Sequence, residues 1–166
     1  IKVYPGLWLG ARPTKDDVQF LQENNITAIL TVERTALTDH CFSYFDRKFI
    51  FACDSTKEVL LEHFEDAFNF IDENIENGVL VHCHFGKSRS ATIVVAYLMK
   101  KLRIPFVKAF KRVCRSRIIS PNAGFRFQLA LFEKTRFKAG KAAKKYKNSK
   151  LLRKLRKANV NVKVVE

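Results

Sequence analysis

The stretch from Val79 to Lys101 restricts the fold of this chain more than any other part of it. Val79-Leu80-Val81 is a short apolar run suited to a buried strand. It delivers His82 and Cys83 to a strand end, and five residues later Arg89 leads into a segment, Ser90 to Lys101, that is apolar almost all round. A helix without a polar face must run through a core. Strand, short loop and buried helix therefore stand in one block, and the rest of the chain has to be arranged around them.

The remaining elements are read from period and punctuation. Val3-Tyr4 and Leu7-Trp8-Leu9-Gly10 are two short strands around Pro5-Gly6. Thr14 and Asp17 form a capping pair that opens a helix through about Glu23. Ile26 to Val32 and Arg47 to Ala52 read as strands, with residues 33–46 between them as a surface loop. Leu61, Phe64, Phe68, Ile71 and Ile75 fall at helical spacing within Glu58 to Asn77, with Glu58 placed on the wet face and Gly78 ending the helix. Pro105 starts a helix through about Ser116, and a last one is expected from Ala123 to Arg136. Strands interleaved with helices argue for an α/β fold: a central, mostly parallel, twisted sheet flanked by helices on both faces.

The loop between Cys83 and Arg89 carries the chemistry. A loop closing between a strand end and a helix N-terminus gathers backbone N–H groups into one concavity, which suits an anion. Gly86 permits a backbone turn that a side chain would obstruct. A cysteine at the base of such a nest feels the same donors, so its thiolate is favoured. Arg89 offers a planar fork to two phosphate oxygens. A second acidic group is needed to protonate a leaving oxygen, and Asp54, in a short polar loop after a strand, is the candidate.

These residues resemble the protein tyrosine phosphatases, and more narrowly the dual-specificity phosphatases, whose signature is His-Cys, five residues, Arg and then Ser or Thr. His82-Cys83, Gly86 and Ser88-Arg89-Ser90 match it position by position. The similarity extends through Pro5 to Gly10, Asp54-Ser55, Pro121-Asn122, Gly124-Phe125 and Gln128-Leu129. The resemblance implies Cys83 as nucleophile, Asp54 as general acid and then base, and Ser90 as the group that helps release the thiolate. It also implies substrate oxygens held by the loop from His84 through Phe85, Gly86, Lys87 and Ser88 to Arg89, with His82 and Asn122 in support. No metal or other cofactor is implied. The substrates implied are phosphotyrosine and phosphoserine or phosphothreonine proteins. Two loop positions depart from the pattern. Phe85 stands where Ala is usual and is expected to pack behind or beside the loop. Lys87 is similar to the tensin-homologue lipid phosphatases and keeps open phosphoinositides or RNA 5′ ends as substrates.

Charge divides the chain sharply. Residues 1–76 hold 7 Lys/Arg against 14 Asp/Glu, whereas residues 77–166 hold 24 against 2. Such a field attracts anionic partners. Between Lys134 and Lys163 there are 13 Lys/Arg and no acid, so residues 1–137 are read as the catalytic domain and 138–166 as a basic extension outside the core. Residues 138–157 are the candidate contact for a polyanion, whether RNA, a ribosomal particle or acidic phospholipid. Residues 151–155 are expected to have helical character and 159–165 to alternate like a strand. The His82-Cys83-His84 start and Tyr146-Lys147 are similar to the Yvh-type phosphatases, which are associated with ribosome assembly and carry a zinc-binding domain; a ribosome-binding module with secondary catalysis is therefore a further alternative. Cys41, Cys53, Cys83 and Cys114 show no paired spacing for zinc or a disulfide framework. Free thiols point to a reducing compartment, cytoplasm or nucleus, and no apolar run approaches the roughly 20 residues of a membrane helix.

Overall fold

The computed structural model describes residues 1–150, 152–154 and 157. Five strands form one sheet: β1 (Lys2–Tyr4), β2 (Leu7–Gly10), β3 (Ala28–Glu33), β4 (Asp46–Phe51) and β5 (Val79–His82), in the order β1-β2-β5-β3-β4. Only the β1–β2 pair is antiparallel; the other three pairings are parallel. The helices are α1 (Val18–Glu23), α2 (Phe64–Asn74), α3 (Arg89–Leu102), α4 (Phe106–Cys114), α5 (Ala123–Lys134) and α6 (Ala139–Lys147). Because β5 lies in the middle of the sheet, its C-terminal end opens between the ends of β2 and β3. That is where a loop of an open parallel sheet meets ligand.

Side chains of the central strands alternate between two cores of unequal size. Leu30, Val32, Val79, Val81, Leu7 and Leu9 join the main core, beneath α2 to α6. Ile29, Leu80 and Trp8 face the smaller one, closed by Leu21 of α1. Residues 33–46 were expected as a surface loop, but Leu37, Phe42 and Phe45 are buried there, and a short 3-10 turn at His40–Phe42 sets the two phenylalanines against the sheet. Without a helical or strand period, those apolar residues gave no signal of burial.

The expected helix from Glu58 starts later. A 3-10 turn at Leu60–His63 precedes α2, and Glu58 lies outside both, its carboxylate accepting from the Cys53 amide at 2.8 Å. Thr14 and Asp17 do cap one another, the Thr14 amide donating to the Asp17 carboxylate at 2.7 Å, although a 3-10 turn at Lys15–Asp17 comes before α1. Along α3, every residue from Arg89 to Met99 is buried.

The cationic segment is not detached from the core. Ala139, Ala142, Ala143 and Tyr146 of α6 are buried in the main core, together with Leu152. Lys141, Lys144, Lys145 and Lys147 occupy the outer face, where Lys147 pairs with Glu62. Residues 152–154 are helical; Leu151, Leu155 and the strand-like run at 159–165 lie outside the described residues.

Candidate active site

The loop from Cys83 to Ser88 is held from outside by its carbonyl groups. His84 O accepts from the Arg12 amide at 3.0 Å and Lys87 O from the Ser120 amide at 2.8 Å. Phe85 O and Gly86 O accept from the Arg117 guanidinium, at 2.8 and 3.0 Å. Among the described residues, no amide of residues 84–88 donates to a protein acceptor. Carbonyls drawn outward leave the alternate N–H groups turned to the concavity, which is the arrangement of an anion nest. Gly86 has φ +66°, and a Cβ there would come within 2.2 Å of Gly10 O. Any other residue would push the loop off β2.

Cys83 is 2% exposed and sits at the floor of this loop. Ser90, in the first turn of α3, donates its hydroxyl to Cys83 Sγ at 3.1 Å. His82 is fully buried. Its Nδ1 lies 3.2 Å from Cys83 O and its Nε2 lies 2.8 Å from Thr31 Oγ1. A carbonyl only accepts, so Nδ1 carries the proton and Nε2 accepts from Thr31. Burial is the main cause that pushes the His82 pKa down to about 4, with Arg12 and Arg89 adding to it against the Cys83 carbonyl and Glu33. The ring is thus neutral at physiological pH and braces the strand end on which the cysteine stands.

Arg89 is fixed by the end of the neighbouring strand. Its Nη1 donates to Glu33 Oε1 at 2.6 Å and to Ala52 O at 3.2 Å. Burial alone would raise the Glu33 pKa, but the Arg89 bond, the Arg34 amide and the charges of Arg89 and Arg12 outweigh it and hold the carboxylate ionised. Arg89 Nε is buried and has no partner among the described residues. A guanidinium anchored at one corner with a free N–H at another is pre-aimed at an incoming anion.

Asp54 is exposed, and its Oδ1 accepts from Ser88 Oγ at 2.7 Å and Asn122 Nδ2 at 2.9 Å. Asn122 also caps α5, its Oδ1 accepting from the Phe125 amide at 3.0 Å. Ser88, inside the loop, therefore ties the carboxylate directly to the anion nest. Among the described residues no group of three His, Cys, Asp or Glu side chains is arranged to hold a metal ion.

The family model of the dual specificity phosphatase catalytic domain matches residues 7–135. The chain belongs to that family. Dual specificity protein phosphatase 1B of Arabidopsis thaliana is 42% identical over 137 residues, covering 81% of this chain and 81% of that protein. Dual specificity protein phosphatase MPK-4 of Drosophila melanogaster is 36% identical over 155 residues, which is 90% of this chain and 40% of that protein. The chain thus spans well under half the length of that relative. The crystal structure of DUSP15 superposes with a TM-score of 0.74 at 29% identity, over 89% of this chain and 94% of that one. The family assignment does not extend to the Yvh-type subgroup: the crystal structure of the Yvh1 phosphatase domain from Chaetomium thermophilum superposes with a TM-score of 0.74 at 27% identity, no better than that of DUSP15.

In this dual-specificity phosphatase domain the structure gathers Cys83, Arg89, Ser90, Ser88, His82, Asp54 and Asn122 around one loop. Of the two places expected for Phe85, it takes the one beside the loop: it is 68% exposed and meets the His84 ring edge-on, with centroids 4.4 Å apart, forming a rim. Lys87 is exposed as well. Glu33, Arg12, Arg117 and Thr31 were missed by sequence reasoning. Glu33 alone left a trace, an acid placed at the end of an apolar strand next to the one that carries the cysteine loop.

Proposed function

We propose that this chain hydrolyses phosphomonoesters on phosphotyrosine and phosphoserine or phosphothreonine proteins through a cysteinyl-phosphate intermediate. The observation that carries this reading is the buried Arg89 Nε, without a partner among the described residues, beside a loop whose carbonyls from His84 to Lys87 are drawn outward. Cys83 Sγ, as thiolate, attacks phosphorus, while Arg89 and the amides from His84 to Arg89 hold the equatorial oxygens. Asp54 donates its proton to the departing alcohol oxygen as the P–O bond breaks. The ionised Asp54 then takes a proton from water, whose oxygen attacks the phosphorus of the thiophosphate. Inorganic phosphate leaves and the thiolate returns, stabilised by the Ser90 hydroxyl. Ser88 and Asn122, both neutral donors, hold the Asp54 carboxyl beside the nest for this exchange.

The exposed lysines of α6, Lys141, Lys144, Lys145 and Lys147, support a polyanionic partner for the basic sequence at 138–157, and a free-thiol nucleophile suits a reducing compartment, cytoplasm or nucleus. No helix among the described residues is long and apolar enough to cross a membrane. Exposed Lys87 on the loop favours a second reading, a phosphoinositide or RNA 5′-phosphatase. The test is substrate profiling of the wild type and Cys83→Ser across phosphopeptides, phosphoinositides and 5′-phosphorylated RNA. The expected result is hydrolysis of phosphopeptides that Cys83→Ser lowers by about 10⁴-fold or more. A Cys83→Ser protein that keeps its turnover would sink the mechanism, and a preference for lipid or RNA would replace the substrate.

A further inference from the structure

We infer that Tyr146, on the cationic helix α6, is a positioning residue for the general-acid loop. The inference rests on the reading of Asp54 as the acid. Asp54 is held at its tip by Ser88 and Asn122, but a carboxylate can be aimed only if the backbone beneath it is also fixed. That backbone turns through Ser55 and Thr56. The Tyr146 hydroxyl, on a fully buried ring, donates to Thr56 O at 2.6 Å, across 90 residues of sequence.

Thr56 is also backed by α5. Its backbone is seated on Gly124 at the start of α5, where an added Cβ would come within 2.4 Å of Thr56 O. The same carbonyl is thus pressed by α5 and bonded by α6. On either side the segment is closed tightly. The Glu58 carboxylate takes the Cys53 amide, and the Ser55 hydroxyl takes the Lys57 amide at 3.2 Å. Gln128 of α5 then bridges Glu58 O at 2.7 Å and the Leu61 amide at 3.1 Å. Asp54 therefore stands on a short arch whose crown is Thr56.

Helix α6 lies beyond residues 7–135, the stretch that the family model matches. It reaches the arch because Ala139, Ala142 and Ala143 let it lie close on the core, and the Tyr146 ring packs 5.8 Å from that of Phe127. The small residues set the approach, and the single phenol supplies the bond. A positioning role of this kind acts on proton donation and leaves attack by Cys83 untouched.

The experiment is Tyr146→Phe, which keeps the ring in the core and removes only the hydroxyl, assayed with phenyl phosphate and with 4-nitrophenyl phosphate. Phenolate needs a proton as it leaves far more than 4-nitrophenolate does, so the acid matters more for the first substrate. The expected result is a kcat/KM, which reads the steps up to formation of the cysteinyl-phosphate, about five- to tenfold lower for phenyl phosphate, as one hydrogen bond is lost, and changed less than twofold for 4-nitrophenyl phosphate. Amide hydrogen exchange at residues 54–58 should quicken in the same variant. In an Asp54→Asn background the added Tyr146→Phe change should have no further effect on phenyl phosphate. Equal losses on both substrates, or a further loss in that background, overturn the inference. If Asp54→Asn itself shows no leaving-group dependence, the assignment of the acid is what fails, and unchanged exchange at residues 54–58 would then refute the brace separately.

Discussion

Two adjacent parallel strands end in carboxylates beside the cysteine loop, and the two carboxylates are treated in opposite ways. Glu33, the last residue of β3, is buried and bonded to two arginines. Asp54, three residues past the end of β4, is exposed and bonded to a serine and an asparagine. Charged partners lock Glu33 into its ionised form and make it a fixture that aims Arg89. Neutral partners orient Asp54 and add no opposing charge. On the proposed reading of Asp54 as the acid, what separates a scaffold carboxylate from a chemical one here is the charge of its donors.

The largest effect that could break this contrast is at Asp54. Asp54→Asn should lower kcat/KM for phenyl phosphate by about 10²–10⁴-fold, with a much smaller loss on 4-nitrophenyl phosphate and little change in thermal midpoint. Equal losses on the two substrates would make Asp54 a second fixture. Next comes pH. Unfolded, His82 takes up a proton as pH falls below about 6.5, whereas folded it resists until about 4. The His82 contribution to stability should therefore be lost between those values, roughly 3 kcal/mol in all. Glu33 adds to the decline in the same direction, because its lowered pKa gives stability that is lost as acid protonates it. Urea midpoints at pH 7, 5.5 and 4 read this directly, and His82→Gln should flatten the slope. The smallest effect is expected at Glu33 itself. Glu33→Gln removes one charge from a buried, bonded pair and should cost about 2 kcal/mol of stability. It should depress turnover on both substrates alike, since Arg89 serves either one. A leaving-group dependence in Glu33→Gln would erase the distinction from Asp54.

How far the sequence reaches follows the separation of the contacts. The cysteine loop was legible because its chemistry is continuous in the chain: strand, turn glycine, arginine and helix N-terminus all lie between Val79 and Ser90. Asp54 is a candidate by its place after a strand; its partners Ser88 and Asn122 left no mark in the sequence around it. Glu33 reaches Arg89 across 56 residues and Arg117 reaches Gly86 across 31, and no local period marks either as a partner. The sheet and the helices α2 to α5 were readable from alternation and helical spacing, within a few residues at their ends. Leu37, Phe42 and Phe45 were not, because the irregular backbone that buries them imposes no period. α6 was missed for a different reason. Its lysines dominate the composition, while the pattern that docks it consists of three alanines and one tyrosine.

That docking separates two boundaries that composition would merge. Charge changes character near Lys134, but packing continues through Tyr146. Cutting the chain after residue 137 would therefore withdraw a tyrosine and three alanines from the main core along with the lysines, and any loss of polyanion affinity would be mixed with damage to the fold. Replacing Lys141, Lys144 and Lys145 by glutamine separates the two, since all three lie on the outer face. The same split sets different rules for drift along one helix: the outer positions answer to net charge and tolerate exchange among polar residues, whereas the inner ones answer to volume and admit almost none.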